Sequence, residues 1–527
     1  MDLTEGILLF SPFLTGLFYL WGAALAVIGL TGALVFSQKK KTLRFSISPL
    51  LLACCSLVLF QLGGCLWGTD HGMALAGTLQ FLPLPLFVLA LQQREKEERM
   101  RLLRFLPQTA ALMVLLSFLL SRIPACADRF LAGGRLAGFF QYPNTFAAYL
   151  LAALIVLIHG KMIDGQKKRL ILFAVLLFGI ALSQSKAAIV LLIAVLTLSA
   201  VYAETRREKL LFGVSAALFA GAGLFLLLRG SVSFSTFFGR LLYARDALPV
   251  ILHHPLGLGY TGYYWLQGSF QTGVYSVRHV HNELLQLLLD VGWIPAGLFL
   301  WALIQSFRTP EENICRKLLL AALCLHALAD FDTQFLSMAF LLLTAASVET
   351  SGNRRISPRV FAAVSVPVCL LSLWLGTAAL FLHGNRPQEA AKLYPAYTEA
   401  LIRMLHEAEN NRAEELADRI LRLNGSVSPA WDVKAEAAFQ RGDFDTAISA
   451  KEEAVRLSRY NRQEYLEYRT LLEHIRNRCL SRGDQAGALR CSAKLEAIPE
   501  MTQTVLAQTS TLGRMIQDQP NLMLPPS

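Results

Sequence analysis

Charge is what this chain has least of. Asp, Glu, Lys and Arg make up only 17% of its 527 residues, while 54% are hydrophobic. The apolar residues fall in blocks of membrane-spanning length, and a bilayer core needs about 20 of them per helix. That balance excludes the three or four soluble domains that length alone would suggest. It indicates a polytopic membrane protein with a water-soluble tail. The opening MDLTEG lacks a basic region, so no cleavable signal peptide is expected. The nine cysteines have no metal-ligand spacing, and six lie in or beside apolar runs, where they read as small hydrophobes. Cys479 and Cys491 lie in the tail, where a disulfide between them stays open. An Asp-rich metal signature is missing, and neither a metal nor a cofactor is expected. Extended basic tracts are missing as well. The net charge of +11 sits in short clusters between apolar runs, a pattern that encodes membrane topology rather than nucleic-acid binding.

Twelve apolar runs are expected as spans, at 10–36, 46–63, 73–92, 105–121, 145–160, 170–184, 187–203, 210–228, 283–305, 318–329, 335–348 and 360–383. The first, Ile7 to Phe36, is long enough to be one tilted span or a short hairpin. Basic clusters follow alternate runs. QKKKTLR, REKEERMRLLR, GKMIDGQKKR, TRREK, FRTPEENICRK and GNRRISPR carry 22 Lys and Arg, against eight on the opposite side before the tail. The positive-inside rule puts the first set in the cytoplasm. The N-terminus, the loop between Arg229 and His281, and everything after about residue 384 are then expected outside. The expected fold class is all-α, with a membrane domain at 1–384 and a helical tail at 385–527.

The longest polar interruption between apolar runs is residues 229–282. It holds Arg229, Arg240, Arg245, Arg278, His253, His254, His279 and His281, with turn signals at HHPLGLGY and LQGSFQTG. It runs into HNELLQ, where Asn282 can cap a helix and Glu283 suits its first turn. Positive charge on the outer side runs against the topology bias. Four arginines in one loop, with Lys186 and three more in the 121–144 loop, point to an anionic ligand. The planar fork of arginine suits phosphate, and an isoprenoid diphosphate would present such charge at this depth. Histidine, with an ordinary pKa near ~6.5, can position or deprotonate a hydroxyl. His281 lies at a helix start three residues after Arg278, which can bring both functions to one spot.

Two shorter signals accompany the loop. Tyr142-Pro143-Asn144 leads into a helix, with Asn144 either its N-cap or a substrate contact. Lys186 sits in a very short outer turn, where it either snorkels to the interface or binds phosphate. Asp246 and Glu283 are the nearest acids to the loop histidines, too few for an acid/base pair. Asp330 and Asp332 lie near another outer turn. A transporter or flippase for a lipid-linked sugar is the rival class. It would place ionisable sites near the bilayer midplane, where the spans here are largely uncharged apart from Asp290.

In the tail, PAWDVKAEAAFQRGDFDTAISAKEEAVRL resembles a tetratricopeptide repeat. Trp431, Ala435, Gly442, Ala447 and Ala454 fall where that helix–turn–helix pattern needs an aromatic, small packing residues and a turn. NNRAEELADRI and RGDQAGALR suggest flanking repeats. Such helices form grooves for a protein partner rather than sites of chemistry.

Four segments resemble the O-antigen ligase and polymerase superfamily: GFFQYPNTFAAYL, SQSKAAIV, GRLLYARDALPVILHHPLGLGY and HVHNELLQLLLDVG, in the family's order across roughly residues 130–345. The resemblance implies a metal-independent glycosyltransferase of the cytoplasmic membrane. It would move a glycan from an undecaprenyl-diphosphate carrier to a glycan, lipid or protein acceptor on the outer face. A protein O-oligosaccharyltransferase of the same superfamily is the alternative. His281 matches the family's loop histidine, and Arg240 its arginine near the loop start. Lys186 stands where members usually carry arginine, keeping the charge without the bidentate fork. Loop charge, turn and resemblance together give the expected site: His281 as catalytic residue, with Arg240, Arg278, Arg245, Lys186, Tyr142 and Asn144 binding substrate.

Overall fold

The computed structural model describes residues 2–40, 42–229, 234–310, 314–346, 354–516 and 522. Loop residues 230–233 and the end of the expected 335–348 span lie outside them. The described chain is almost wholly helical, apart from two short two-stranded pairings. Among the described residues, six helices are long and apolar enough to cross a membrane: Leu20–Gln38, Pro49–Trp67, His71–Gln92, Glu97–Leu120, Arg206–Leu228 and Pro358–His383. Shorter apolar helices complete the bundle, among them Pro143–His159, Lys186–Tyr202 and Leu336–Ala345.

Pro143–His159 is the hub. Every residue from Pro143 to Ile158 is buried, as expected of a helix that is apolar all round and enclosed by others. Proline at its first position pre-sets the helical backbone and removes an N–H that would have no partner. The upper end of this buried rod carries Tyr142 and Asn144, so both side chains stand on a rigid base. Asn144 is not the N-cap that the sequence allowed. Tyr142 holds that position without a side-chain bond, and Asn144 falls inside the first turn.

The two faces of the bundle are distinct. Leu43–Phe45 pairs with Arg354–Ile356, joining two of the basic clusters, and Lys161 meets Glu204 at 3.3 Å, joining two more. The N-terminus lies on this basic face, not on the opposite one as expected. Asp2 pairs with Arg94 at 2.5 Å and Glu5 with Arg104 at 2.9 Å. The reason is a break in the first apolar run. Helix Leu3–Phe10 ends in 3-10 turns around Gly16, whose φ is 61°, and the chain turns back into Leu20–Lys40. The run is therefore a hairpin.

The expected span 283–305 is also broken, into Glu283–Val291 and Trp293–Arg308. The HHPLGLGY turn crosses the chain there. Trp293 N–H donates to the Pro255 carbonyl at 2.9 Å, and Leu258 N–H to that of Leu289 at 2.6 Å. Gly257 and Gly292 have φ of 84° and 80°, and a Cβ on either would collide with the other segment's backbone. The 229–282 loop is itself largely helical, with Ser235–His253 and Gly262–Phe270. The LQGSFQTG signal marks only the end of the second helix. Gly268 within it lets the tail approach, since a Cβ there would lie 1.9 Å from the Leu457 carbonyl.

From Pro387 the chain is a series of helices, each packed on its sequence neighbour through Gln485–Ala507. Ser428–Arg441 and Phe444–Leu457 form a helix–turn–helix in which Ala435, Ala447 and Ala454 are buried and Gly442 makes the turn at φ 80°. Cys479 and Cys491 are buried free thiols. Asp432, Glu464 and Glu467 are close enough to bind a cation and hold Lys451 Nζ instead, each at 2.7 Å.

The tail is bolted to the face that carries the loop. Glu399 pairs with Arg278 at 2.7 Å, and Ser510 N–H donates to the Thr272 carbonyl at 2.9 Å. Buried Asp70, at the start of helix His71–Gly77, accepts hydrogen bonds from Thr398 at 2.7 Å and Asn424 at 3.1 Å. Burial pushes the Asp70 carboxyl up to about 6, against hydrogen bonds that favour its ionised form. A carboxyl whose pKa is raised on docking takes up a proton on docking. Docking is thus strongest at low pH and weakens as pH rises from 3.8 through about 6. The midpoint of thermal tail release, read by a dye on the tail, is expected to fall as pH rises from about 4 to about 6 and to level off above that. Asp70→Asn should flatten that slope, and a parent protein with no slope would refute the assignment.

Candidate active site

On the loop face, four polypeptide segments converge on one buried carboxylate. Asp330 follows helix Ile314–Ala327, and its side chain is 1% exposed. Tyr142 Oη donates to its Oδ1 at 2.9 Å, and Asn144 Nδ2 donates to its Oδ2 at 2.7 Å. Arg240 Nη2, from helix Ser235–His253, meets Oδ2 at 2.9 Å. His281 Nδ1 meets Oδ1 at 3.1 Å, and the Phe331 backbone N–H donates to the same oxygen at 3.1 Å. Burial alone would raise this carboxyl. The hydrogen bond from His281 and the charge of Arg240 override it and hold Asp330 well below the usual carboxylate range. An ionised Asp330 accepts from Nδ1–H, which leaves Nε2 of His281 as the free acceptor nitrogen.

His281 is held by its neighbours on both sides in sequence and space. Its φ of 54° is left-handed, a conformation that non-glycine residues adopt at a cost of order 1–3 kcal/mol when the surroundings fix it. Asn282 caps the helix that follows, accepting from Leu285 N–H at 3.0 Å, and its Nδ2 donates to the Leu328 carbonyl at 2.8 Å. Glu283 accepts from Thr333 N–H at 3.2 Å and Gln334 Nε2 at 2.9 Å. These contacts staple the segment carrying His281 to the segment carrying Asp330. Phe331 forms an apolar floor, packed against Tyr142, His279 and His281 with ring centroids 4.8–5.0 Å away. His281 remains 21% exposed, so its outer edge is open to a ligand while the carboxylate behind it is not.

Positive charge surrounds the pair. Arg135, from the hairpin of the 121–144 loop, donates to Asn144 Oδ1 at 2.5 Å and to the Ser183 carbonyl at 2.8 Å. Lys186, exposed at the start of its helix, is within electrostatic reach of Arg135 and Arg240. Arg240 and Arg135 thus lie beside the ionised carboxylate, with Lys186 within reach of both, a cluster of positive charge that favours an anionic ligand.

The remaining expected residues do not bond this carboxylate. Arg245 is exposed about 140° around the helix from Arg240. Arg278 turns to the tail, bound to Glu399 and, at 3.3 Å, to the Tyr260 hydroxyl. His253 and His254 bond the carbonyls of Pro249 and Val250 at the end of their helix. His279 is buried, and burial holds it well below the ordinary histidine value, in its neutral form. Asp330 and Arg135 are the residues that loop composition did not single out. The signal was present in ALADFDTQF, two acids just after an apolar run, but nothing local says which histidine they face. Asp332 beside it serves another partner, bonding His326 at 2.5 Å and Thr145 at 2.8 Å.

A family model described as O-antigen ligase matches residues 171–302. That stretch covers Lys186, Arg240, Arg245, Arg278 and His281, and it supports the O-antigen ligase superfamily for this region. No curated protein and no solved structure matches the chain.

Proposed function

We propose that this membrane protein transfers a glycan from a polyprenyl-diphosphate carrier to an acceptor hydroxyl, at the outer face of the cytoplasmic membrane, with the helical tail on that side. The observation that carries this is the His281–Asp330 pair set among Arg240, Arg135 and Lys186. The acceptor oxygen attacks the anomeric carbon, and the bond from that carbon to the diphosphate oxygen breaks. The acceptor proton passes to Nε2 of His281, and Asp330 stabilises the imidazolium that forms. The diphosphate oxygen leaves with the bonding electron pair, and Arg240, Arg135 and Lys186 stabilise the negative charge it gains. Tyr142 and Asn144 act through Asp330, fixing the carboxylate rather than touching substrate.

Arg240 keeps further N–H groups free beyond the one bound to Asp330, so it can serve carboxylate and diphosphate together. A charge-assisted hydrogen bond of ~1.5–3 kcal/mol corresponds to about 10–100-fold in binding. Arg240→Ala is expected to raise the donor KM by that factor, with Arg240→Lys between it and the parent. Arg278→Ala should leave donor KM within a few fold, because Glu399 holds that side chain. A normal donor KM in Arg240→Ala, at normal protein levels, would remove the diphosphate from this site.

A further inference from the structure

Between the outer loop and the tail lies a groove of about 460 Å³. Helix Gly262–Phe270 and the turn after it form one wall, and the turns at 426–429 and 457–461 of the tail form the other. Its lining holds the aromatic rings of Tyr264, Trp265, Tyr275 and Tyr460, and no Asp, Glu, Lys, Arg or His side chain lines it among the described residues. Gln271, which opens on it, is only 6% exposed, and its carboxamide makes no hydrogen bond to the described protein. The hydroxyls of Ser276, Ser426 and Ser458 add donors and acceptors at the rim.

Aromatic faces beside neutral amides and hydroxyls match one ligand chemistry well. The C–H face of a sugar ring packs on the electron-rich aromatic face, while its hydroxyls need partners that both donate and accept. A phosphate or a charged peptide would find no counter-charge here. One ring of the groove is also linked by packing to the reacting groups. Tyr275 has its ring 4.7 Å from that of Tyr243, and Tyr243 lies 6.0 Å from the ring of His281. A saccharide held against Tyr275 would therefore lie two ring contacts from His281.

We infer that this groove is a saccharide subsite, built jointly by loop and tail, that holds uncharged sugar units beyond the bond being made. The inference rests on the glycan-transfer reading of the His281 site. It gives the tail a direct part in substrate binding, and it explains why the tail is fixed to the loop on both sides of the groove, through Gly268 against Leu457 and Ser510 against Thr272.

The test uses the purified full chain and two probes: the oligosaccharide released by mild acid from the host's polyprenyl-diphosphate pool, and an unstructured Ser/Thr-rich peptide. Saturation-transfer NMR reads weak binding of each. Tyr264→Ala, which removes a platform, and Ser426→Trp, which fills the groove, should each weaken saccharide binding at least fivefold. Tyr264→Trp should restore it and so reports on folding. His281→Ala should leave saccharide binding unchanged, which separates the groove from the chemistry. Loss of transfer in His281→Ala with unaltered saccharide binding in both groove variants would overturn the subsite and spare the proposed function. Binding of the peptide alone, lost in both groove variants, would also overturn it.

Discussion

His281→Ala is expected to slow glycan transfer by about 10²–10⁴-fold, the usual contribution of a positioned general base. Insertion should be normal, because His281 is 21% exposed and its loss leaves no large cavity. Donor binding should stay within a few fold, because the cations that would receive the diphosphate lie on other segments. His281→Gln separates two roles. Glutamine keeps a hydrogen-bonding group near Asp330 and the acceptor but cannot take up the proton. Transfer in the Gln variant should match that in the Ala variant if deprotonation is the contribution. Near-parental transfer in the Gln variant would show that the side chain only orients the acceptor. Near-parental transfer in the Ala variant would remove His281 from the mechanism. Reaction of the purified protein with lipid-linked donor, followed by gel or chromatographic separation of products, reads all three outcomes.

Asp330→Asn should be nearly as damaging, at about 10²–10⁴-fold in kcat. In the serine-protease triad the same exchange costs about 10⁴, because the imidazole is left in the wrong tautomer. The same logic holds here. A carboxamide can offer its N–H to Nδ1, which moves the ring proton to Nε2 and blocks that nitrogen as an acceptor. The exchange also removes the carboxylate charge paired with Arg240, so the cluster becomes more positive. Donor KM is therefore expected to hold or fall while kcat drops. A rise in donor KM with kcat intact would place Asp330 in scaffolding rather than in the proton path. Because Tyr142 and Asn144 also bond this carboxylate, protein level and thermal stability must be measured alongside.

Much of this was legible from local pattern. Long apolar runs and alternating basic clusters give helices that cross between two faces. The pairing of Leu43–Phe45 with Arg354–Ile356 and of Lys161 with Glu204 shows those clusters gathered on one face. The cap at Asn282 was also readable, since one residue type at a helix start decides it. The first apolar run was not readable in the same way. Hydropathy does not register the backbone turn at Gly16, and that turn moves the N-terminus to the basic face. Glu283–Val291 reads as the start of a span until the Pro255–Leu258 crossing is known.

The sequence by itself determined the class of molecule and the polar loop in which to look, because burial in a bilayer and an excess of arginine are properties of composition and order; it offered His281, Arg240 and Lys186 as candidates. Tertiary structure alone decided that Asp330 is the partner of His281, 49 residues further along the chain. It decided too that Arg135 joins the cations, and that Arg278 serves the tail. A carboxylate chooses its donors by a separation of about 3 Å in space, and no spacing along the chain encodes that distance once the two groups sit on different segments.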